Sequence, residues 1–176
     1  MANKYRVDKR SQGRDFEAEE RVFEGFLRRR GLKFTSVRRQ LLRKIFDMKD
    51  HFTAEQLLER LKSADVRVSK ATVYRTLAVM LECDLLRSHD FGEGSLFYEH
   101  SYGHGHHDHL FCVSCKVIIE FRDDRIEELQ KRAAQEFGFR MLSHTLKIYG
   151  LCRQCAVDPE VRARFDSSLG EVAHRS

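Results

Sequence analysis

The sequence predicts an α+β protein of two domains, and three observations lead to this fold class. Apolar residues recur at helical spacing before residue 84. Two short strand-like runs with glycines between them follow, and the second half of the chain combines strand-like runs with one helical stretch. With 176 residues, 41% of them hydrophobic and 34% charged, the chain can bury a sizeable core as one domain or two small ones.

The chain is predicted to begin with a flexible arm and two capped helices. Residues 1–14 are polar and charged and are expected to form the arm. A helix is predicted over residues 15–30, and Gly31 suits its C-cap because glycine adopts the left-handed conformation at little cost. Thr35 or Ser36 can cap the next helix through its side-chain oxygen.

Residues 15–99 are predicted to form an N-terminal winged helix-turn-helix domain. The segment Thr53-Ala54-Glu55-Gln56 has the form of a capping box, and Ser69 can cap a helix that runs to about Cys83. Strands are predicted at 85–89 and 95–99, and Gly92 and Gly94 suit a tight turn between them. Short helices followed by two such strands are typical of a winged helix.

A C-terminal α/β domain is predicted over residues 106–156, after a polar hinge at 100–105 that contains two glycines. Strands are expected at 106–112 and 117–121, a helix from Asp124 to about Phe137, and a last strand at 144–149. The charged tail, residues 157–176, is expected to be frayed.

The charge distribution favours a nucleic-acid partner for the first half. Residues 1–88 carry 21 Lys and Arg against 13 Asp and Glu, whereas residues 89–176 carry 11 against 14. The second helix of a helix-turn-helix enters the major groove of double-stranded DNA with its first turns. The alternative is that Tyr74 packs in the core and Arg75 is merely solvated. The residues expected to contact DNA are Lys33, Lys70, Thr72, Tyr74 and Arg75.

Four of the five cysteines form two Cys-x-x-Cys pairs, at 112/115 and 152/155. The chain begins with charged residues and contains no apolar run near membrane-span length, so we expect a cytoplasmic protein without a membrane partner. In a reducing compartment such pairs indicate zinc before disulfides. The long interval between the pairs means that the fold must bring them together, as a closed structural site. Cys83 stands alone and is interpreted as an apolar filler.

The segment from His104 to Cys115 concentrates further ligand types, with four histidines and one aspartate beside the first cysteine pair. In a strand over residues 106–112, His107 and His109 would face one way, and His106 and Asp108 the other. Nitrogen and oxygen donors of this kind suit Fe(II), Mn(II), Co(II) or Zn(II). Up to three metal sites could therefore draw on this one segment.

Several motifs in order resemble the ferric uptake regulator family over about residues 20–156. They are Gly31-Leu-Lys-Phe-Thr35, His51-Phe-Thr-Ala-Glu55, Ala71-Thr-Val-Tyr-Arg75, His106-His-Asp-His-Leu110, Cys112-Val-Ser-Cys115, Val117-Ile-Ile-Glu-Phe121 and Tyr149-Gly-Leu-Cys152. The resemblance implies a homodimeric, metal-dependent transcription regulator that binds an operator in double-stranded DNA. It also implies that the C-terminal α/β domain is the dimerisation domain.

The resemblance implies three metal sites. A structural zinc site would consist of Cys112, Cys115, Cys152 and Cys155. A sensing site would consist of His51, Glu99, His107, His109 and Glu120. An additional site in the dimerisation domain would consist of His106, Asp108, Glu127 and His144.

Departures from the family pattern bear on the sensed metal. The segment from Glu99 to His107 is one residue longer than usual, so His100 or His104 could replace Glu99 as a ligand. Glutamates at positions 99 and 120 favour an Fe(II)-responsive repressor of iron-uptake genes over a peroxide sensor, which tends to use aspartates. Mn(II), Co(II) or Zn(II) could substitute for Fe(II). A zinc sensor of the family often adds a cysteine ligand, and Cys83 lies away from the other ligands.

Other functions also remain open at this point. Within the family, a peroxide- or zinc-sensing regulator is the alternative. Outside it, a zinc-dependent hydrolase would need an open coordination position, a general base and a substrate pocket, and no base is left over from ligation. A zinc-ribbon interaction module without a DNA role would leave the basic first half unexplained.

Overall fold

The computed structural model describes residues 15–48, 50–102 and 105–172. These residues form two compact units that meet in sequence between Gly105 and His106. The first is called the winged-helix unit below and the second the C-terminal unit. The predicted arm at 1–14, residues 103 and 104 of the predicted hinge and the last four residues of the tail lie outside the described residues. The predicted α+β class is confirmed, and none of the described helices is long and apolar enough to span a bilayer.

The winged-helix unit contains four helices, and three of them begin at predicted caps, whereas the cap of the first, Asp15, was not predicted. They are α1 (Phe16–Arg29), α2 (Ser36–Phe46), α3 (Ala54–Ser63) and α4 (Lys70–Glu82). Side chains of Asp15, Thr35, Thr53 and Ser69 accept hydrogen bonds from the first-turn N–H groups of these helices. Gly31 ends α1 at a φ of 67°, as the C-cap prediction requires.

A three-stranded antiparallel sheet completes the winged-helix unit. It consists of β1 (Phe52–Thr53), β2 (Leu86–Asp90) and β3 (Leu96–His100), with β3 in the centre. Gly92 and Gly94 have positive φ in the turn between β2 and β3, as predicted. Side chains from all four helices and from the sheet form one buried apolar core, which includes Phe23, Leu41 and Leu77.

The predicted strand ends in this unit were wrong by one residue. β2 and β3 run one residue further than the predicted 85–89 and 95–99 because Leu86 pairs with His100 and Asp90 with Leu96. His100, assigned from the sequence to the hinge, is therefore the last residue of β3. β1 was not predicted, since two residues are too few to produce an alternating pattern.

The C-terminal unit contains a mixed sheet and three helices. The elements are β4 (Asp108–Cys112), β5 (Ile118–Phe121), α5 (Asp124–Glu136), β6 (Lys147–Gly150), α6 (Arg153–Val157) and α7 (Pro159–Val172). The strand order is β5-β4-β6, in which β4 pairs antiparallel with β5 and parallel with β6.

Several predictions in the C-terminal unit need correction. β5 begins at Ile118 rather than at 117, and β6 ends at Gly150 rather than at 149. β4 begins at Asp108 rather than His106 because Phe121, its partner, is the last residue of β5. β6 begins at Lys147 rather than His144 because Lys147 pairs with His109 near the start of β4. Residues from Pro159 to Val172 form α7 rather than a frayed tail. The Asp158 carboxylate accepts hydrogen bonds from the first-turn N–H groups of α7, and a proline at the first helical position costs no hydrogen bond.

The capping box of α3 gives a test of this fold. The Thr53 hydroxyl accepts from the Gln56 N–H, and the Gln56 side chain accepts from the Thr53 N–H. We expect Thr53→Ala to lower the free energy of unfolding of the winged-helix unit by about 1 kcal/mol, because the first turn of the helix loses its cap. Urea denaturation followed by circular dichroism measures the loss. Ser63→Ala, at the exposed end of the same helix, is the control and should change stability less.

Candidate metal centres and nucleic-acid interface

The four paired cysteines converge at one end of the C-terminal sheet. β4 and β6 run parallel, and Cys112 at the end of β4 pairs with Gly150, so both Cys-x-x-Cys segments leave the sheet at the same edge. The sulfurs of Cys115 and Cys152 are 3.7 Å apart, and all four sulfurs lie within 4.8 Å of one another. None of these cysteines forms a disulfide. A tetrahedral Zn²⁺ with Zn–S bonds of about 2.3 Å has sulfur–sulfur edges of about 3.8 Å, so the arrangement fits zinc.

The ionisation of the thiols also fits a bound cation. Burial opposes ionisation of Cys112, but hydrogen bonds from the N–H groups of Cys152, Cys115 and Ser114 lower its pKa to about 6. For Cys155, the Ser114 hydroxyl lowers the pKa, whereas desolvation and the three neighbouring sulfur groups raise it to about 12. One thiolate therefore suppresses ionisation of the next. A divalent cation removes this conflict, because coordinated thiols are deprotonated.

A second set of ligands lies within the C-terminal unit, where His106, Asp108, Glu127 and His144 come together. His106 Nε2 is 3.3 Å from an Asp108 oxygen and 3.4 Å from Glu127 Oε1, and His144 Nε2 is 3.2 Å from Glu127 Oε2. Over the described part of the chain, none of these nitrogens, nor Asp108 Oδ1, Oδ2 or Glu127 Oε1, has a hydrogen-bond partner. Two nitrogens and two carboxylates that converge without hydrogen bonds fit a divalent ion, since buried charges are otherwise paired.

The C-terminal unit also holds three of the five predicted sensing residues. His109 on β4 pairs in register with Glu120 on β5, and His107 Nε2 is 3.9 Å from a Glu120 oxygen. The rings of His107 and His109 are 5.0 Å apart, and all three side chains are buried. The side chains of residues 106–109 alternate between two sides, as predicted, although His106 and His107 precede the strand.

The winged-helix unit holds the other two sensing residues. His51 Nε2 lies 2.8 Å from Glu99 Oε2, and both side chains are buried. His89 was not predicted from the sequence, yet its Nε2 lies 3.0 Å from Glu99 Oε1. Its position on β2, across from β3 and two residues out of register with Glu99, is the signal that could have identified it.

His100 does not take the place of Glu99. Its Nε2 lies 3.3 Å from a carboxylate oxygen of Glu19 on α1, and both side chains are buried. Successive residues of a strand point to opposite faces, which separates His100 from Glu99. The substitution suggested from the sequence is therefore wrong for His100, and His104 lies outside the described residues.

The residues predicted to contact DNA are on the surface of the winged-helix unit. Tyr74 is 41% exposed, so the alternative that it packs in the core is wrong. Its hydroxyl donates a 2.8 Å hydrogen bond to Glu55 on α3, which lowers the pKa of Glu55 and raises that of Tyr74. Arg75 contacts the Thr72 hydroxyl at 3.4 Å, and Lys70 is exposed beside them.

Lys33 is exposed in the turn between α1 and α2. Its carbonyl accepts a 2.6 Å hydrogen bond from the Arg38 guanidinium, which fixes the backbone of this turn. The winged-helix unit thus presents cations on two separate elements, the turn before α2 and the start of α4.

A winged helix joined to a mixed sheet that carries cysteine and histidine–carboxylate ligand sets defines a metal-binding regulator of transcription. Residues 29–149 match the Ferric uptake regulator family. The chain belongs to this family, whose members are transcription regulators and not enzymes. The hydrolase considered from the sequence is therefore set aside.

Relatives and solved structures agree with this assignment. The chain is 39% identical to the ferric uptake regulation protein of Campylobacter jejuni over 76% of this chain and 85% of that protein. The iron-bound ferric uptake regulator of Francisella tularensis is 32% identical, with a TM-score of 0.66, over 71% of this chain and 95% of that chain. The Helicobacter pylori regulator, at 23% identity, supports the fold, with a TM-score of 0.77 over 83% of this chain and 97% of that chain.

Loss of one cysteine ligand should disrupt the C-terminal unit. We expect Cys112→Ser to lose one zinc ion per chain and the cooperative unfolding of this unit, because structural zinc contributes about 10–16 kcal/mol of apparent binding free energy. Zinc analysis and thermal unfolding followed by circular dichroism measure both effects. Cys83→Ser is the matched control, since burial raises the pKa of this thiol to about 11 and it lies in the other unit. A folded Cys112→Ser protein with full zinc content would contradict the assignment.

Proposed function

We propose that this chain is a homodimeric, metal-dependent repressor that binds operator DNA and controls iron-uptake genes in response to Fe(II). The observation that carries the proposal is the division of buried His and Glu ligands between the two units. The winged-helix unit supplies the close pair His51 and Glu99, and the C-terminal unit supplies the neighbours His107, His109 and Glu120. We assign these five residues to one sensing site.

The assignment of ligands from both units to one site explains how a bound ion could switch DNA binding. A bound divalent ion would supply a positive centre that imidazole and carboxylate ligands from both units share. Ligands from both units can act together only in an arrangement of the units that brings them close. Binding then favours that arrangement in proportion to its differential affinity for it. If the same arrangement matches the half-site spacing on DNA, then the affinities for DNA and for the ion increase each other by the same factor.

Fe(II) is the ion that the ligand set favours within the family. Both carboxylate positions are glutamates, and no cysteine is among the five residues. The Francisella tularensis relative, solved with iron, supports this choice. Mn(II), Co(II) or Zn(II) can bind the same donors, because affinity alone does not discriminate among them. A peroxide- or zinc-sensing regulator is the alternative outcome of the experiment below.

Two other metal sites complete the proposal. Zn(II) in the four-cysteine site would hold the ends of β4 and β6 together and leave no open position for chemistry. The additional set, His106, Asp108, Glu127 and His144, would bind a divalent ion whose positive charge offsets the two carboxylates.

DNA contact is assigned to the exposed cations and to the start of α4. Lys70, Thr72, Tyr74 and Arg75 would enter the major groove, where Arg75 can bind guanine and the Tyr74 ring can contact a thymine methyl group. Lys33 would contact the adjacent part of the duplex. The exposure of Lys33, Lys70, Tyr74 and Arg75 supports the assignment, and Thr72 is half-buried beside them.

The dimer is assigned to the C-terminal unit. α5 buries none of its residues although its apolar side chains lie along one face, and β6 is an edge strand with an exposed Ile148. Leu142 is 86% exposed and Phe137 81% exposed. Apolar side chains exposed together in this way mark interaction surfaces, and in a homodimer the partner surface is the same patch of a second copy.

Removal of one sensing ligand tests the proposed switch. We expect DNA binding by the wild-type protein to tighten with added Fe(II) or Mn(II), and His107→Ala to abolish this dependence while it leaves the dimer and its zinc intact. DNA binding titrated with each metal in the absence of oxygen measures the effect. Equally tight binding by wild-type protein without metal would contradict the switch, and a response to Zn(II) or peroxide alone would favour the alternatives.

Charge placed on the exposed apolar surface tests the dimer. We expect Leu142→Glu to shift sedimentation from dimer towards monomer, because a buried unpaired carboxylate is costly at an interface. Leu96→Glu is the control, since Leu96 is also an exposed leucine, at 44% against 86% for Leu142, but lies in the winged-helix unit. A Leu142→Glu protein that remains as dimeric as the control would place the interface elsewhere.

A further inference from the structure

His89 is a buried histidine that the three ligand sets leave out. Its side chain is 11% exposed, and its Nε2 lies 3.0 Å from Glu99 Oε1. His51 Nε2 lies 2.8 Å from the other oxygen, Oε2. Two imidazoles therefore flank the Glu99 carboxylate, one at each oxygen.

The position of His89 follows from the pairing of β2 with β3. His89 pairs with Phe97, so its side chain is on the same face of the sheet as Phe97 and Glu99. The ring centroid of Phe91 is 5.9 Å from that of His89, and the ring of His51 is 5.8 Å away on another side. These neighbours hold the imidazole in place beside the carboxylate.

A buried glutamate needs such a neighbour if it is to act as a defined ligand. The last torsion of a glutamate side chain is broad, so strand pairing fixes the backbone of Glu99 but not the rotation of its carboxylate. A contact at Oε1 limits this rotation and leaves Oε2 directed towards His51. Groups that orient a ligand in this way typically change metal affinity 10- to 100-fold.

We propose that His89 is a positioning residue of the sensing site, which orients Glu99 so that Oε2 is presented to the regulatory ion beside His51. This inference rests on the proposed function, because it takes Glu99 to be a ligand. It assigns His89 no direct bond to the ion.

The first test compares two substitutions of His89 in the full-length, zinc-containing protein. The binding of Mn(II) is followed by electron paramagnetic resonance, and the Mn(II) equivalents that His107→Ala loses define the sensing site. We expect His89→Leu to weaken Mn(II) binding at that site 10- to 100-fold. His89→Gln, whose amide reaches the position of Nε2, should recover most of the affinity. Ser88→Ala, an exposed residue next to His89 whose side chain is on the opposite face of the same strand, is the control and should bind as the wild type does.

The second test asks whether the effect of His89 acts through Glu99. In a Glu99→Ala background, His89→Leu should cause no further loss of Mn(II) affinity, because the residue that it orients is absent. A loss of the same size in both backgrounds would overturn the inference, as would wild-type affinity in His89→Leu. If His89→Leu does not fold, His89→Gln must bind Mn(II) more tightly than His89→Asn, whose amide is too short, and equal affinities would overturn the inference.

The two proposals fail in different ways. Wild-type protein whose DNA binding ignores metal contradicts the proposed function. Wild-type protein with normal metal dependence, together with unchanged Mn(II) binding in His89→Leu, contradicts only the role of His89.

Discussion

The parallel pairing of β4 with β6 is the interaction on which the C-terminal unit depends. It brings the two cysteine pairs to one edge of the sheet. Among the described residues of this unit, the buried apolar side chains are only Phe111, Cys112 and Phe121. So few cannot offset the conformational entropy of ordering the chain, and small domains of this kind are usually stabilised by metal ions or by association. The proposed metal sites and the proposed dimer surface would both add the stability that so small an apolar core lacks.

The winged-helix unit differs in this respect, because its core contains side chains from all four of its helices and from its sheet. Glu99 lies on the central strand β3 of this unit, His51 directly precedes β1, and both side chains are buried. Histidine and carboxylate ligands can therefore have a different effect in each unit of the chain. The proposed ligands of the C-terminal unit would add stability where few apolar side chains are buried, whereas those of the winged-helix unit would act on a unit that has its own apolar core.

Most correct predictions rested on interactions between residues that are close in the sequence. Most errors concerned features that depend on the pairing of one strand with another. The caps at Thr53 and Ser69 were identifiable because each acts on its own helix. Strand ends were wrong by one to three residues because a strand ends where its partner ends. The start of β4, for example, is set by Phe121, the last residue of β5 with which β4 can pair. His89 was missed for the same reason, since its proximity to Glu99 depends on the register of β2 against β3. The four residues at 106–109 were sorted correctly into two groups because alternation needs no knowledge of the partner strand.

His51 is connected within the winged-helix unit to the surface of α4 that is proposed to contact DNA. His51 directly precedes β1, which pairs with the central strand β3 and ends at the capping box of α3. Glu55, in the first turn of α3, accepts the hydrogen bond from Tyr74 on α4. The path from the ligand pair to the surface of α4 therefore consists of strand pairing, a helix cap and a side-chain hydrogen bond, with no loop between β1 and α3. These contacts connect His51, a proposed ligand of the regulatory ion, to the exposed surface of α4 entirely within the winged-helix unit.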